Sequence, residues 1–263
     1  MTTANLMESL PELARRIDLA KHVVVGLDFD GTLAPLQSQP DAVTLSEPVR
    51  SVLSRLASLP RVTPMIVSGR RLTDVAARVG LPDLIYAGNH GLEIRGPGLN
   101  FVEPTAAATE QRLHKVTEHL RARLSDVPGV FVEAKGFTTS VHYRNVRPEH
   151  RDELARIVRE AVDANATGLV LSTGHAIWEI RPRVSWHKGH AVVWTMQQLG
   201  IGASSLAFFL GDDRTDEDAF AALPDGITVK VGSPGTPTEA RYWLPDPDAV
   251  RAFLVWLDEQ LAR

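Results

Sequence analysis

Two carboxylates at i and i+2, Asp28 and Asp30, open the segment Asp28-Phe29-Asp30-Gly31-Thr32-Leu33 directly after the apolar run Val23-Val24-Val25-Gly26-Leu27. Charge at the mouth of a buried strand is costly unless something neutralises it. A divalent cation or a reacting phosphate does so. Other polar clusters stand in similar places. Val62 to Val67 runs into Ser68-Gly69-Arg70, Leu84 to Ala87 into Gly88-Asn89-His90-Gly91, and Leu206 to Leu210 into Gly211-Asp212-Asp213. Together they offer two carboxylates, the hydroxyl of Ser68, the cation of Lys188 and an acidic loop of Asp212, Asp213, Asp216 and Glu217. Phosphoryl transfer through a covalent aspartyl intermediate requires this set. One carboxylate attacks phosphorus, a second moves the proton of the leaving oxygen, and cations offset charge on the equatorial oxygens. The chain has no cysteine and no histidine beside its acidic clusters, so oxygen-liganded Mg²⁺ is favoured over zinc.

These residues are far apart in sequence, so the fold must gather them. Apolar, β-rich runs alternate with helical patterns at Val49 to Leu59, Leu72 to Val79 and Ala191 to Leu199. Such alternation predicts an α/β domain with a parallel sheet covered on both faces, whose ligands bind at the carboxyl ends of the strands. The stretch from 105 to 183 differs. A helix at Glu110 to Leu124 precedes strand-like runs at Val130 to Lys135 and Thr138 to Arg144. A helix at Glu149 to Ala164 then leads to runs near Leu169 to Ser172 and Ala176 to Arg181. The short connection at Gly136 predicts an antiparallel hairpin. The expected organisation is a discontinuous core, 1–104 and 184–263, with an inserted α+β domain at 105–183. An amphipathic helix is expected within the first 21 residues and a packing helix at Ala249 to Leu261.

The motif from Asp28, the serine of Ser68-Gly69-Arg70, Lys188 and the run from Gly211 to Asp218 resemble, in order, the four motifs of the haloacid dehalogenase superfamily of phosphatases. Gly88 to Glu93, the pair Glu133 and Lys135, Glu179 within Trp178 to Pro182, and Gly211 to Glu217 are similar to the trehalose-6-phosphate phosphatase family. The resemblance covers nearly the whole chain beyond the first twenty residues. It implies a Rossmann-like core of the haloacid dehalogenase type. It makes Asp28 the nucleophile and Asp30 the general acid and base, with Ser68 and Lys188 gripping the phosphoryl oxygens. Mg²⁺ would be held by Asp28, the backbone carbonyl of Asp30 and Asp212, with Asp216 and Asp213 in supporting positions. Arg70, Asn89, His90, Glu133, Lys135, Arg144 and Glu179 are the candidates for substrate contact, and the inserted domain would be a cap closing over the sugar.

The cap candidates also follow from strand geometry. Alternate side chains share a face, which groups Glu133 with Lys135, and Ser140 with His142 and Arg144, while Val132, Val141 and Tyr143 pack inward. Glu133 and Glu179 suit a neutral sugar, because carboxylates accept from pairs of hydroxyls. The competing reading is a solvent-facing strand with cross-strand ion pairs. For Asn89, His90 and Glu93 a structural turn competes with substrate contact. His187 and His190 flank Lys188 without a carboxylate partner and are assigned to a helix surface.

Composition narrows the class. A net charge of −4 argues against a nucleic-acid surface. No apolar stretch reaches the roughly 20 residues of a membrane span, and the first residues lack the apolar core of a signal peptide. A cysteine-free chain suits a reducing cytoplasm. The expected activity is Mg²⁺-dependent hydrolysis of trehalose 6-phosphate. A sucrose or mannosyl-glycerate phosphate, a phosphomutase reaction and a non-catalytic sugar-phosphate sensor are the alternatives. A sensor should have lost Asp30 or Lys188, and both remain.

Overall fold

The computed structural model describes residues 3–37, 42–165, 167–174, 176–233 and 235–263. The chain divides into two compact units, Met1–Phe101 with Trp186–Arg263, and Val102–Ser185.

The first unit begins with β1 (Ala4–Asn5) and α1 (Leu10–Leu19), followed by β2 (His22–Leu27), α2 (Glu47–Ser58), β3 (Val62–Val67), α3 (Leu72–Val79), β4 (Ile85–Gly88), β5 (Glu93–Gly96) and β6 (Leu99–Val102). In the second unit lie α4 (Pro104–Leu124), β7 (Phe131–Ala134), β8 (Thr139–His142), α5 (Pro148–Asp163), β9 (Leu169–Gly174) and β10 (Ile177–Pro182). The chain returns to the first unit with α6 (Lys188–Gln198), β11 (Ser205–Gly211), α7 (Arg214–Ala222), β12 (Ile227–Val231), β13 (Tyr242–Leu244) and α8 (Pro247–Leu261). Of the expected N-terminal stretch, Leu13 and Ile17 are the buried residues of α1, and residues 1 and 2 lie outside the described residues.

A nine-stranded sheet in the order β1-β13-β12-β11-β2-β3-β4-β5-β6 organises the first unit. The pairs from β1 through β4 are parallel, and β5 joins β4 antiparallel. Strand β2 is central because both its faces are apolar. Val23, Val25 and Leu27 join Phe208, Leu210 and Val229 in a core that includes residues of α1, α2 and α8. Val24 joins Met65, Val67, Ala207 and Phe209 in a second core with Ala191 and Val192 of α6 and Ala219 and Phe220 of α7. Burying alternate residues on opposite faces leaves such a strand no polar periodicity, as expected for a parallel interior strand. The edge pair β5 and β6 was not expected from sequence.

The second unit is a four-stranded sheet, β7-β8-β10-β9, with every neighbouring pair antiparallel. Val132, Val141, Trp178 and Ile180 form one core with Leu113, Val116 and Leu120 of α4 and Leu154 and Val158 of α5. Tyr143 stacks on Trp178 with ring centroids 4.0 Å apart. One expectation needs correcting here. Strand β8 ends at His142, so Arg144 is an exposed residue of a turn closed by Val146 N–H on the Tyr143 carbonyl at 3.1 Å, and does not share the face of Ser140 and His142.

Candidate active site

Asp28 follows β2 directly, and its backbone N–H donates to the Leu210 carbonyl of the neighbouring strand β11 at 2.9 Å. The chain then doubles back, with the Leu33 and Ala34 amides both donating to the Phe29 carbonyl at 3.0 Å. Gly31 sits at φ +83°, and a Cβ there would collide with the Asp212 carboxylate. Only glycine permits both the turn and that approach. Asp212 follows β11, the partner of β2, and parallel pairing therefore carries it to the same end of the sheet. A Cβ on Gly211 would strike the Asp216 carboxylate, so the loop packs backbone against side chain.

Helix α7 opens on a capping box. Asp213 accepts from the Thr215 amide at 2.7 Å, while Asp216 Oδ2 accepts from the Asp213 amide at 3.0 Å. The Asp213 carboxylate is thus engaged by the helix start, with Thr215 Oγ1 also donating to it at 2.7 Å. The other oxygen of Asp216 faces Lys188. Lys188 is the first residue of α6, beyond the N-cap His187, and its Nζ donates to Asp28 Oδ1 at 2.8 Å and Asp216 Oδ1 at 2.7 Å. Lys188, Asp28 and Asp216 are all buried.

One carboxylate oxygen from each of Asp28, Asp212 and Asp216 lies within 4.8 Å of the others. Burial, then the neighbouring carboxylates, raise the Asp28 and Asp212 carboxyls to about 7, against the pull of Lys188. Burial likewise raises Asp216 to about 8. Burial also acts to raise Asp213, but the Lys188 charge and the Thr215 bonds outweigh it and hold it near 2. Desolvation works against the Lys188 ammonium, yet Asp216 and Asp28 hold its pKa well above the ordinary lysine value. The cluster therefore carries more acidic groups than one lysine neutralises, and its donors are all oxygen. That is a fitting cradle for a hard divalent cation, and Thr32, fully buried with its hydroxyl unpartnered among the described residues, follows the acidic turn.

A second group forms around β3. Ser68, buried after β3, accepts from the Arg70 amide at 3.1 Å. The Arg70 guanidinium donates to both oxygens of Asp30 at 2.7 Å and to Asp74 at 3.0 Å, with its carbon 5.6 Å above the Phe29 ring. Arg70 is thus a holder of Asp30. Only its pairing with Asp74 was legible locally, because Arg70, Asp74 and Arg78 stand at i, i+4 and i+8, and Asp74 also pairs with Arg78 at 2.8 Å. The Asn89 amide donates to the Arg70 carbonyl at 2.7 Å and the His90 amide to the Ser68 carbonyl at 2.9 Å. Asn89, buried and at φ +48°, donates its side-chain amide to Glu93 at 2.6 Å. The 89–91 turn thereby braces the Ser68 loop.

Within the second unit, Lys135 Nζ lies 3.9 Å from carboxylate oxygens of both Glu133 and Glu179. His142 Nε2 contacts Glu133 Oε2 at 2.9 Å. Glu133 and Glu179 each pair with Ser140 across the sheet, which aligns them on one face. His142, grouped by strand period with Ser140, is the member of this cluster that the sequence did not single out for substrate contact.

The sequence profile described as Trehalose-phosphatase matches residues 26–247. A trehalose-phosphate phosphatase from Mycobacterium tuberculosis is 38% identical over 97% of this chain, and the chain spans about two thirds (67%) of that relative's length. Among solved structures, one described as a trehalose-6-phosphate phosphatase related protein is 26% identical with a TM-score of 0.78, covering 90% of this chain and 97% of its own. A haloacid dehalogenase-like hydrolase from Bacteroides thetaiotaomicron, 14% identical, shares the fold with a TM-score of 0.63 over 90% of this chain and 100% of its own. With its acidic cluster and buried lysine at the carboxyl end of a parallel sheet, the chain belongs to the trehalose-phosphatase family, a family of phosphomonoesterases.

Proposed function

We propose that the chain is a Mg²⁺-dependent phosphatase that converts trehalose 6-phosphate and water to trehalose and phosphate, with Asp28 as the covalent nucleophile. The observation that carries this reading is the buried contact of Lys188 with Asp28 and Asp216, beside Asp212. An Asp28 oxygen bonds to phosphorus as the bond from phosphorus to the sugar oxygen breaks, and Asp30 gives that oxygen its proton. Asp30 then takes a proton from water, which attacks phosphorus and releases Asp28 and inorganic phosphate. Arg70 engages both Asp30 oxygens, so that contact must loosen before Asp30 can reach the leaving oxygen. Ser68 and Lys188 hold the phosphoryl oxygens, and Lys188 also fixes the attacking carboxylate. Asp28, Asp212 and Asp216 would hold Mg²⁺, which supplies charge neutralisation to the phosphoryl group. The unit Val102–Ser185 acts as the sugar-reading cap, through Glu133, Lys135 and Glu179.

The deciding experiment is phosphate release from a panel of sugar phosphates, with and without chelator. Trehalose 6-phosphate should be the best substrate. Chelation should abolish turnover and Mg²⁺ restore it. Preference for another sugar ester would replace the substrate, and turnover unaffected by chelator would remove the metal.

Cation binding should also be visible in stability. Asp28, Asp212 and Asp216 have folded-state pKa values of about 7, 7 and 8, above the unfolded value of 3.8. The folded state therefore holds extra protons between those limits, and the metal-free protein loses stability as pH rises through that window. The rise in Tm on adding Mg²⁺ should accordingly be larger at pH 8 than at pH 5. Equal increments would place the bound cation elsewhere.

Replacing Glu133 with alanine removes a carboxylate acceptor for sugar hydroxyls. The variant should lose about 10- to 100-fold in kcat/KM on trehalose 6-phosphate, the value of a hydrogen bond to a charged group. Its loss on para-nitrophenyl phosphate should be far smaller. Equal losses on both esters would argue against a sugar-reading role.

A further inference from the structure

The face of the second unit's sheet that bears Glu133 and Glu179 carries two neighbouring rows. One runs Glu133, Ser140, Glu179 and Ser172 across the four strands. The other runs Phe131, His142 and Ile177. The first row is rich in hydrogen-bonding groups and the second is aromatic and aliphatic. Residues two apart on a strand are separated by about 7 Å, so one hexose ring with its substituents reaches from one row to the other.

Phe131 stands out in the second row. It is 61% exposed, at the edge strand β7. Edge strands are usually protected by charge or proline, and a bare aromatic there invites unwanted pairing. Nothing in the packing of this unit requires it, since the core lies on the opposite face with Val132, Val141 and Trp178. The ring lies 5.6 Å from that of His142, tilted by 33°, and most of it faces solvent. His142 is fixed in turn by its 2.9 Å contact with Glu133, the carboxylate at the head of the polar row. Ser140 adds an independent mark of a ligand. It is fully buried in that row between Glu133 and Glu179, and its hydroxyl has no hydrogen-bond partner among the described residues. An unmet polar group of this kind calls for an outside partner.

We propose that Phe131, backed by His142, is the stacking surface for a pyranose ring of the disaccharide phosphate, which makes it a specificity-determining residue of this phosphatase. A pyranose presents a face of C–H bonds rimmed by hydroxyls. The C–H face lies against the Phe131 ring while the rim reaches Glu133, Glu179 and the Ser140 hydroxyl. An aromatic ring suits this contact because it offers a large, rigid apolar area with few rotors to immobilise. The inference rests on the sugar-phosphate reading above and adds the residue that reads the sugar's apolar side.

Stacking acts equally on bound substrate and transition state, so its loss appears in KM with kcat retained. In the full chain, Phe131→Ala should raise KM for trehalose 6-phosphate by roughly 3- to 10-fold, the usual range for one aromatic contact. Phe131→Trp should restore it, Phe131→Leu should not, and KM for para-nitrophenyl phosphate should move much less. Thermal midpoints should match, because the ring is outside the core. An unchanged KM in Phe131→Ala, full rescue by leucine, or equal rises on both esters would each overturn the stacking role while leaving the phosphatase reading intact. Failure of the unsubstituted protein to release phosphate from any sugar ester would instead overturn that reading, and this inference with it.

Discussion

Asp28→Asn should lower kcat on trehalose 6-phosphate by on the order of 10⁴-fold or more, because removal of the proposed covalent nucleophile leaves binding and electrostatics alone. The fold should survive. Asparagine keeps the shape and can still accept from Lys188 through its amide oxygen, and the strand's pairing uses the Asp28 backbone amide. Loss of one carboxylate from a crowded acidic cluster should even leave Tm unchanged or slightly raised in the absence of cation. Mass spectrometry of the trapped enzyme should find phosphate on the unsubstituted chain and none on the variant. A variant retaining more than a tenth of the activity would remove the covalent mechanism and leave direct attack by water.

Lys188→Met should have the next largest effect, and it acts on stability as well as rate. Methionine fills similar volume but leaves Asp28 and Asp216 without their shared ammonium, deep in the protein. Breaking a buried pair in this way costs about 3–5 kcal/mol. In a chain of this size that lowers Tm by on the order of 10 °C. The sign with pH is set by the carboxylates. Both already titrate above the usual range, and without Lys188 they rise further, so they become neutral at acid pH and the deficit shrinks. The loss of Tm should therefore be smaller at pH 5 than at pH 8. A pH-independent loss would mean that packing, rather than charge, holds Lys188 in place. Activity should fall at least about 10²-fold at every pH, since the cation proposed to hold the phosphoryl group is gone.

Much of the core was legible because its strands are buried on both faces. Val23 to Leu27 and Leu206 to Leu210 read as apolar runs and Val62 to Val67 and Ile227 to Val231 as largely apolar ones, and each marks where a polar cluster must follow. The edge pair Glu93–Gly96 and Leu99–Val102 was hidden, because four-residue strands broken by Gly96-Pro97-Gly98 carry too little periodicity to separate from a loop. Strand period placed Val132 and Val141 inward correctly but ran one turn too far at Arg144, where the Val146 to Tyr143 turn ends the alternation. In the site, Asp213 and Asp216 look alike in sequence. Capping geometry separates them, turning Asp213 to the helix start and Asp216 to both that start and Lys188. Pairing of Asp30 with Arg70 needs a contact between two loops forty residues apart, and no local pattern announces such a contact.

Strand β2 is made early in the chain, yet its neighbour β11 is made late, and 160 residues separate Asp28 from the lysine that it contacts. During synthesis from the N-terminus, β2 can pair with β3 long before β11 has left the ribosome. The nascent chain must therefore carry an exposed, very apolar strand edge while the whole of 102–185 is being translated. Completion of the sheet then waits on the segment from Ser205 onward, and chaperone dependence should be most acute in chains that stall just short of residue 205.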